Sequence, residues 1–360
     1  MIEAGRLWNP GPTEVRPEVL DAMRRPMIFH RSAAMEALMR RVTPRLGTIF
    51  GTTRPVHVIT GSGTAAMELA IRGGTVKRVL SIVHGDFGER FARMAEGCGR
   101  TVTRLVSTSG DVVPHEKIAD ALRAERFDAV TLTHSETAAG VLSDPAEVAK
   151  IVRQHDDCLL LVDAVSSAGA TPIMMDSWGL DAVVSASQKA LALPPGLGFA
   201  AVSERFLDRA RKLEDRGTYL DILRYEEFAS KAQSPTTPAV SLLFALDKQL
   251  ADIELETLPA RFARHAKMAD VCTAWVDRAE AGALSIAVHA RAGRRSPSVT
   301  AIRHVKPTAV LATMREQGYD IGGGQAELKG NTFRIGHMGD HTVAGLEAML
   351  DVLEGVLRAK

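Results

Sequence analysis

Short apolar segments alternate with amphipathic segments along residues 55–205 of the chain. The apolar segments are rich in valine, leucine and alanine, as in strands that are buried on both faces of a sheet. Segments such as "TAAMELAIRGG" lie between them, with apolar residues at helical spacing and glycines at their ends. The predicted strands are residues 56–60, 78–84, 102–106, 128–134, 158–163, 181–187 and 198–203.

This alternation predicts an α/β protein with a mostly parallel, seven-stranded sheet and helices on both of its faces. In such sheets, ligands bind at the carboxyl ends of the strands. After about residue 255 the pattern changes and predicts a smaller C-terminal α+β domain. Its predicted elements are a helix at 258–282, strands at 283–289 and 298–304, a helix from about 306, a glycine-rich turn at 321–331, a strand at 332–338 and a helix at 342–358.

Composition narrows the class of protein. The 360 residues suit about two domains, and 46% hydrophobic with 24% charged residues is ordinary for a globular protein. A formal net charge of +1 favours neither nucleic acid nor an anionic membrane as partner. The three cysteines (Cys98, Cys158, Cys272) have no metal-binding spacing, and neither a signal peptide nor a membrane span is predicted. We therefore expect a cytoplasmic protein without a metal site.

Chemically distinctive residues follow three predicted strands. Residues 62–64 (Ser-Gly-Thr) open a helix, and such a start favours a phosphate site and a simple helix cap about equally. Asp163 ends a buried strand, where a carboxylate requires a cation or hydrogen bonds. Lys189 follows the next strand, beside Gln188. By itself Lys189 would be interpreted as a surface lysine.

One cofactor uses all of these groups. Pyridoxal phosphate requires a lysine for its Schiff base, a carboxylate beside its pyridine nitrogen and an anchor for its phosphate. A buried lysine with a lowered pKa also supplies an amine nucleophile at neutral pH. Asp163 and the helix start therefore favour a functional interpretation of Lys189.

The segment "VDAVSSAGATPIMMDSWGLDAVVSASQKALALPPGLG" resembles the cofactor-binding core of class V aminotransferases, which are fold-type I pyridoxal-phosphate enzymes. The branch it resembles most is that of the alanine–glyoxylate and serine–pyruvate aminotransferases. The resemblance covers nearly the whole chain. Further matching segments are "NPGPTEV", "ITGSGTAAMELAI", "HGDFGERF", "THSETAAGVL", "SPTTPAV" and "GGGQAELKGNTFRIGHMG".

The resemblance implies a role for each matching residue. Lys189 would be the Schiff-base lysine, and Asp163 the partner of the pyridine nitrogen. The other implied cofactor contacts are Ser62, Gly63, Thr64 and Gln188 at the phosphate, Phe87 and Val165 on the two ring faces, and Thr137 at the ring hydroxyl. The family often has tryptophan at the position of Phe87.

Substrate and partner contacts are implied as well. Arg334 matches the arginine that binds the substrate α-carboxylate, a task that suits a guanidinium fork, although an exposed strand arginine would give the same pattern. Gly11 lies in a loop expected to cover the substrate. Thr237 resembles the threonine that reaches the neighbouring subunit's phosphate, which implies a homodimer. Ser234 replaces a tyrosine of some relatives, so one contact across the dimer would be lost.

We predict that the chain consists of an N-terminal arm at 1–15, a large cofactor-binding domain at 16–255 and a small domain at 256–360. No role is assigned to His30, Arg31 or Glu136. A single carboxylate-binding arginine favours alanine or serine as amino donor and glyoxylate or pyruvate as acceptor, in a ping-pong reaction. Open alternatives are aspartate, aminoethylphosphonate or ureidoglycine as donor, and a pyridoxal-phosphate lyase of the same fold.

Overall fold

The computed structural model describes residues 6–282 and 284–359. Its strands, in chain order, are β1 (Arg6–Trp8), β2 (Val56–Thr60), β3 (Arg78–Val83), β4 (Thr101–Val106), β5 (Ala129–Thr133), β6 (Ser135–Glu136), β7 (Val141–Leu142), β8 (Leu159–Asp163), β9 (Ala182–Ala186), β10 (Leu197–Val202), β11 (Ala287–Val288), β12 (Val299–Arg303), β13 (Tyr319–Gly323) and β14 (Thr332–Gly336). Each of the seven strands predicted within 55–205 is present, with bounds within one residue of the prediction.

Helices fill most of the connections between these strands. They are α1 (Pro17–Ala22), α2 (Ala33–Phe50), α3 (Gly63–Gly74), α4 (Asp86–Gly97), α5 (His115–Ala124), α6 (Pro145–Val152), α7 (Met175–Trp178), α8 (Glu204–Arg211), α9 (Ile222–Ala229), α10 (Val240–Glu256), α11 (Leu258–Ala281), α12 (Pro307–Glu316) and α13 (Val343–Arg358). None of the helices in the described part of the chain is long and apolar enough to cross a membrane.

The large sheet has the strand order β2-β10-β9-β8-β5-β3-β4. All neighbouring pairs are parallel except those of β10, which runs antiparallel to both β2 and β9. The prediction of a mostly parallel seven-stranded sheet is confirmed. Thr133, Asp163 and Val184 lie side by side in its register, so Asp163 is at the carboxyl end of a central strand.

Successive residues of the central strands enter two different hydrophobic cores, because side chains alternate between the faces of a sheet. Leu160 and Val162 of β8 join a core with helices α2, α5, α6 and α10, whereas Leu159 and Leu161 join one with α3, α4, α8 and α9. Burial of each such leucine contributes about 1.5–3 kcal/mol. Helices therefore cover both faces, as predicted.

A second, five-stranded sheet has the order β1-β13-β14-β12-β11 and packs with helices α11, α12 and α13. Strand β1 joins it in parallel to β13, so the start of the chain is part of the C-terminal sheet. The division of the chain at residues 15 and 255 stays a prediction. Residues 1–5 of the predicted arm, Ala283 of a predicted strand and Lys360 lie outside the described residues.

The predicted glycine-rich turn at 321–331 is wrong at its start, because Tyr319–Gly323 form strand β13. Gly322 pairs with Arg334 and lies against the N-terminal segment, where an added Cβ would come within 2.6 Å of Pro10 Cδ. The glycine there serves a close approach of two chain segments. The strand expected at 283–289 contains only Ala287 and Val288.

Candidate active site

One pocket of about 330 Å³ lies at the carboxyl end of the large sheet, between it and the second sheet. Ten of the residues predicted from the sequence line it: Gly11, Ser62, Gly63, Thr64, Phe87, Asp163, Val165, Gln188, Lys189 and Arg334. These residues come from the N-terminal segment, three strand ends of the large sheet, the start of α4 and strand β14. The fold thus brings together groups that are far apart in the sequence.

Lys189 is buried, with 8% of its surface exposed. Burial, together with the charge of Arg334, lowers the pKa of its amine to about 8, while Asp163 opposes the shift. Its Nζ donates a hydrogen bond to the carbonyl oxygen of Pro10. The amine is therefore half neutral near pH 8, more than two units below the ordinary pKa of a lysine, and the neutral form is the nucleophile.

The N-terminal segment packs directly on the lysine. The hydroxyl of Thr13 donates to the Lys189 carbonyl oxygen at 3.1 Å, and the Thr13 N–H donates to that of Gln188 at 3.1 Å. Gly11 has a φ of +112°, and an added Cβ would lie 2.6 Å from Lys189 Cδ and Nζ. Glycine is required at this position by both the backbone conformation and the space.

Asp163 is buried at the end of β8, and one of its carboxylate oxygens accepts a hydrogen bond from the Val165 N–H at 2.8 Å. Burial raises the pKa of the carboxyl to about 6, although the charges of Lys189 and Arg90 and the Val165 hydrogen bond lower it. The group is a carboxylate at neutral pH. It would be stabilised further by a bound cation such as a protonated ring nitrogen.

Residues 62–64 form the start of α3. Ser62 is the N-cap residue, yet its side chain caps no N–H group of the described residues, so the capping alternative is not what the structure shows for it. Gly63 must be small, because an added Cβ would lie 2.9 Å from Val165 Cγ2 and 3.0 Å from Ala186 Cβ. Free N–H groups at the start of a twelve-residue helix suit an anion.

Arg334 is held by three acceptors. Its Nε donates to the Gly323 carbonyl oxygen at 2.8 Å, and its Nη1 donates to the Thr137 carbonyl oxygen at 3.1 Å and to Gln325 Oε1 at 3.2 Å. Burial lowers the pKa of the guanidinium to about 10, so it stays charged at neutral pH. The alternative of an exposed strand arginine is thus not what the structure shows.

Two predicted residues do not line the pocket. Thr137 lies behind Arg334, where its Oγ1 is 2.5 Å from Ser166 Oγ. Thr237 is exposed on the loop before α10. The same loop is held by Arg31, whose Nη1 donates to the Ser234 carbonyl oxygen at 2.6 Å and to Gln233 Oε1 at 3.1 Å.

Arg90 and Gln325 also line the pocket and were missed from the sequence. The guanidinium carbon of Arg90 is 4.7 Å from the centre of the Phe87 ring. Its Nη2 is 3.8 Å from an Asp86 carboxylate oxygen. The sequence could have indicated Arg90, since residues three apart on a helix share one face and Phe87 was already a candidate. Gln325 left no such signal, because its loop comes from the other end of the chain.

The family model described as "Aminotransferase class-V" matches residues 7–328. The chain belongs to the class V aminotransferase family; it is an aminotransferase, and its cofactor is pyridoxal phosphate. An uncharacterised aminotransferase of Methanocaldococcus jannaschii is 37% identical over 343 residues, which cover 92% of this chain and 87% of that protein.

Solved structures with the same fold include an alanine–glyoxylate aminotransferase of Nostoc sp., with a TM-score of 0.93 and 30% identity over 99% of this chain and 96% of that one. An aspartate aminotransferase of Thermus thermophilus matches with a TM-score of 0.90 and 31% identity over 98% of this chain and 99% of that one. The fold-type I assignment made from the sequence is confirmed.

The pocket fits the family's cofactor by its own chemistry. Gln188 Oε1 is buried and has no hydrogen-bond partner within 6–282 and 284–359. Asp163 offers a carboxylate, Lys189 an amine of lowered pKa, and α3 an uncapped first turn. The aldehyde, the ring nitrogen and the phosphate of pyridoxal phosphate thus each have a chemically matched counterpart.

Proposed function

We propose that the chain transfers an amino group from a small amino acid, alanine or serine, to a 2-oxo acid, glyoxylate or pyruvate. The observation that carries the proposal is the convergence of Lys189, Asp163 and Arg334 on one pocket. The name of the Nostoc structure, alanine–glyoxylate aminotransferase, supports this choice of substrates.

Several residues have a part in holding the cofactor. Lys189 would attach it covalently, and Asp163 would accept a hydrogen bond from its ring nitrogen. Phe87 and Val165 would enclose its ring, whereas Thr137 lies outside the pocket and is left without a cofactor contact. The phosphate contacts are assigned to Ser62, Gly63, Thr64 and Gln188. When bound, the cofactor supplies a carbonyl group for the amino acid and an electron sink for the bond that breaks.

The rest of the chemistry is done by side chains of the chain itself. Arg334 binds the α-carboxylate of the amino acid. Three acceptors fix its Nε and Nη1, so the guanidinium is held in one orientation and in turn sets the orientation of the amino acid. Once the substrate's amino group had displaced it from the cofactor, the neutral amine of Lys189 would take the proton from the α-carbon as a general base and would deliver it, as a general acid, to the carbon that carried the cofactor's carbonyl group. The segment around Gly11 covers the pocket. The donor leaves as its oxo acid before the acceptor enters, which is a ping-pong order.

A second candidate donor, aspartate, is favoured by Arg90. Two arginines line the pocket, Arg334 and Arg90, and the ion pair of the Arg90 guanidinium with Asp86 on the same helix is long, at 3.8 Å. A guanidinium that is paired only at this distance and lines a pocket suits a second carboxylate. The Thermus structure with this fold is named an aspartate aminotransferase.

A substrate screen tests both candidates. Alanine, serine and aspartate are each combined with glyoxylate, pyruvate and 2-oxoglutarate, and the oxo acid released is measured for the wild type and for Arg90→Gln. We expect alanine or serine with glyoxylate or pyruvate to be the fastest pair and to change less than about twofold in Arg90→Gln, because no contact with these substrates is lost.

Two outcomes would contradict that expectation. Fastest turnover of aspartate, lost by about 10-fold or more in Arg90→Gln, would establish the second candidate, since a charge-assisted hydrogen bond would have been removed. Continuous product release from the donor alone would indicate a lyase. An aminotransferase stops after one equivalent of oxo acid until an acceptor is added.

We also infer that the active unit is a homodimer in which Thr237 contacts the phosphate of the other subunit. Met27 and Phe29 are 68% and 65% exposed, and they precede Arg31, which holds the 233–235 loop beside Thr237. A second copy would bury these apolar side chains. Arg31 donates hydrogen bonds to this loop, so it would have to release the loop before it could bind the second carboxylate of a dicarboxylic substrate.

Sedimentation of the cofactor-loaded protein tests the dimer. We expect twice the chain mass of 38.7 kDa. Replacing both Met27 and Phe29 by serine is expected to shift the equilibrium towards the single chain, because the apolar area that the second copy covers is reduced. A wild-type protein that sediments as one chain while still binding the cofactor would contradict the inference.

A further inference from the structure

Glu136 lies in the short strand β6, directly behind the pocket, and is fully buried. Three backbone N–H groups donate to its carboxylate. Those of Phe87 and Gly88 bond Oε2 at 3.1 and 3.0 Å, and that of Ala138 bonds Oε1 at 2.9 Å. Burial raises the pKa of this carboxyl to about 7, against the effect of these hydrogen bonds. Burying a carboxylate costs free energy, so its presence here indicates a structural or functional role.

Two of the three donors belong to the first turn of α4. The N-cap residue of this helix is Gly85, which has no side chain to accept their hydrogen bonds. Glu136 takes the place of an N-cap side chain from a different strand. The two segments are fitted closely, since a Cβ on Gly85 would lie 2.8 Å from Glu136 Cγ and Cδ.

The helix turn that Glu136 holds carries the aromatic ring of the pocket. Phe87 lines the pocket, and Lys189 Nζ is 5.8 Å from the centre of its ring. The carboxylate bonds the N–H of Phe87 itself and that of the next residue. The position of this backbone fixes where the ring can stand.

We propose that Glu136 is a positioning residue for the cofactor, which acts by holding the backbone of Phe87 so that the ring faces the bound cofactor. The proposal rests on the proposed role of Phe87 at the cofactor ring. It distinguishes Glu136 from a residue that only stabilises the fold and from one that acts through its charge on Arg334 or Lys189.

A double-mutant cycle between Glu136→Gln and Phe87→Ala separates these possibilities. Glutamine has nearly the same shape but places an NH₂ group against an N–H donor in either orientation. The quantity measured is the dissociation constant of pyridoxal phosphate from the apoenzyme, followed by absorbance titration. We expect Glu136→Gln to weaken binding about 10-fold in the wild type, because a charge-assisted bond is lost, and less than about 2-fold in the Phe87→Ala background.

Glu136→Asp tests whether the length of the side chain or its charge matters, since aspartate keeps the charge on a shorter side chain. We expect it to weaken cofactor binding about as much as glutamine does. Glu96→Gln is the matched control, because Glu96 lies on the same helix but pairs with Arg104 on its surface. The control is expected to bind the cofactor as the wild type does.

If Glu136→Gln weakened cofactor binding by the same factor in the wild type and in Phe87→Ala, the proposal would be overturned, because Glu136 would then act independently of Phe87. Wild-type affinity in Glu136→Asp would overturn it as well, in favour of a charge effect. Urea unfolding of each apoenzyme measures any change in stability, and a lower midpoint with unchanged cofactor affinity would assign Glu136 to the fold alone. A wild-type protein that does not bind pyridoxal phosphate would instead refute the proposed function.

Discussion

Replacing Lys189 by alanine is expected to abolish the visible absorbance of the cofactor-loaded enzyme and to lower turnover by about 10⁴-fold, the upper end of what one positioned acid or base contributes. Alanine removes both the amine that attaches the cofactor and the base that takes the α-proton. Absorbance spectra and initial rates of oxo-acid formation measure the two losses separately.

Lys189→Arg and Lys150→Ala are the controls. Arginine keeps a positive charge but stays protonated, so Lys189→Arg should be as inactive as the alanine variant. Lys150 lies exposed on α6 beside Glu147, and its removal should change neither spectrum nor rate. A visible spectrum that survives in Lys189→Ala would refute the assignment of the lysine.

The lowered pKa of Lys189 gives this prediction a pH dependence. Below about 8 the amine is protonated and cannot attack, so the rate of covalent attachment to the apoenzyme should rise about tenfold per pH unit up to about 8 and level off above it. An exposed lysine would keep rising to its ordinary pKa near 10.4. A rate that rises past pH 10 would contradict the burial of the amine.

Asp163→Asn is expected to lower turnover by about 10²–10³-fold while the cofactor still attaches to Lys189. Asparagine has the same shape and can still accept from the Val165 N–H, but it has no charge to keep a ring nitrogen protonated. Initial rates and the spectrum of the attached cofactor check both parts.

The control for Asp163 is a second buried aspartate at the opposite end of the sheet. Asp181 precedes β9 and accepts hydrogen bonds from the Leu160 N–H and from Arg205. Asp181→Asn should reduce stability without changing the rate per folded enzyme. Full activity of Asp163→Asn would contradict its role.

Asp163 also sets an acid limit on cofactor binding. Its carboxyl has a pKa near 6 in the chain alone, so it becomes neutral as the pH falls through 6. Cofactor affinity in the wild type should decrease below that pH, and Asp163→Asn should show no such decrease.

The centre of the site could be predicted because it depends on local patterns that repeat. Apolar segments end at Thr60, Asp163 and Ala186, and the carboxyl ends of strands in one sheet meet at one edge. Polar residues just beyond those ends therefore had to lie close together. The same reasoning placed Ser62, Asp163 and Lys189 correctly in one pocket.

The periphery could not be predicted, because it depends on contacts between distant segments. Strand β1 has only three residues and is defined by pairing with β13, more than 300 positions later. The carbonyl oxygen of Thr137 orients Arg334, a contact that no side-chain pattern indicates. Gly322 and Gly323 looked like a turn but pair in a sheet, since their small size serves close packing.

The contact between the N-terminal segment and Lys189 has a consequence for how the enzyme matures. The hydrogen bond from Lys189 to Pro10 joins residues 179 positions apart, and that from Thr13 to Lys189 joins residues 176 apart. Closing so long a loop is entropically unfavourable and belongs to the slow, nonlocal part of folding. We therefore expect the burial that lowers the pKa of the lysine to be completed only when the two ends of this loop meet, late in the folding of a newly made chain.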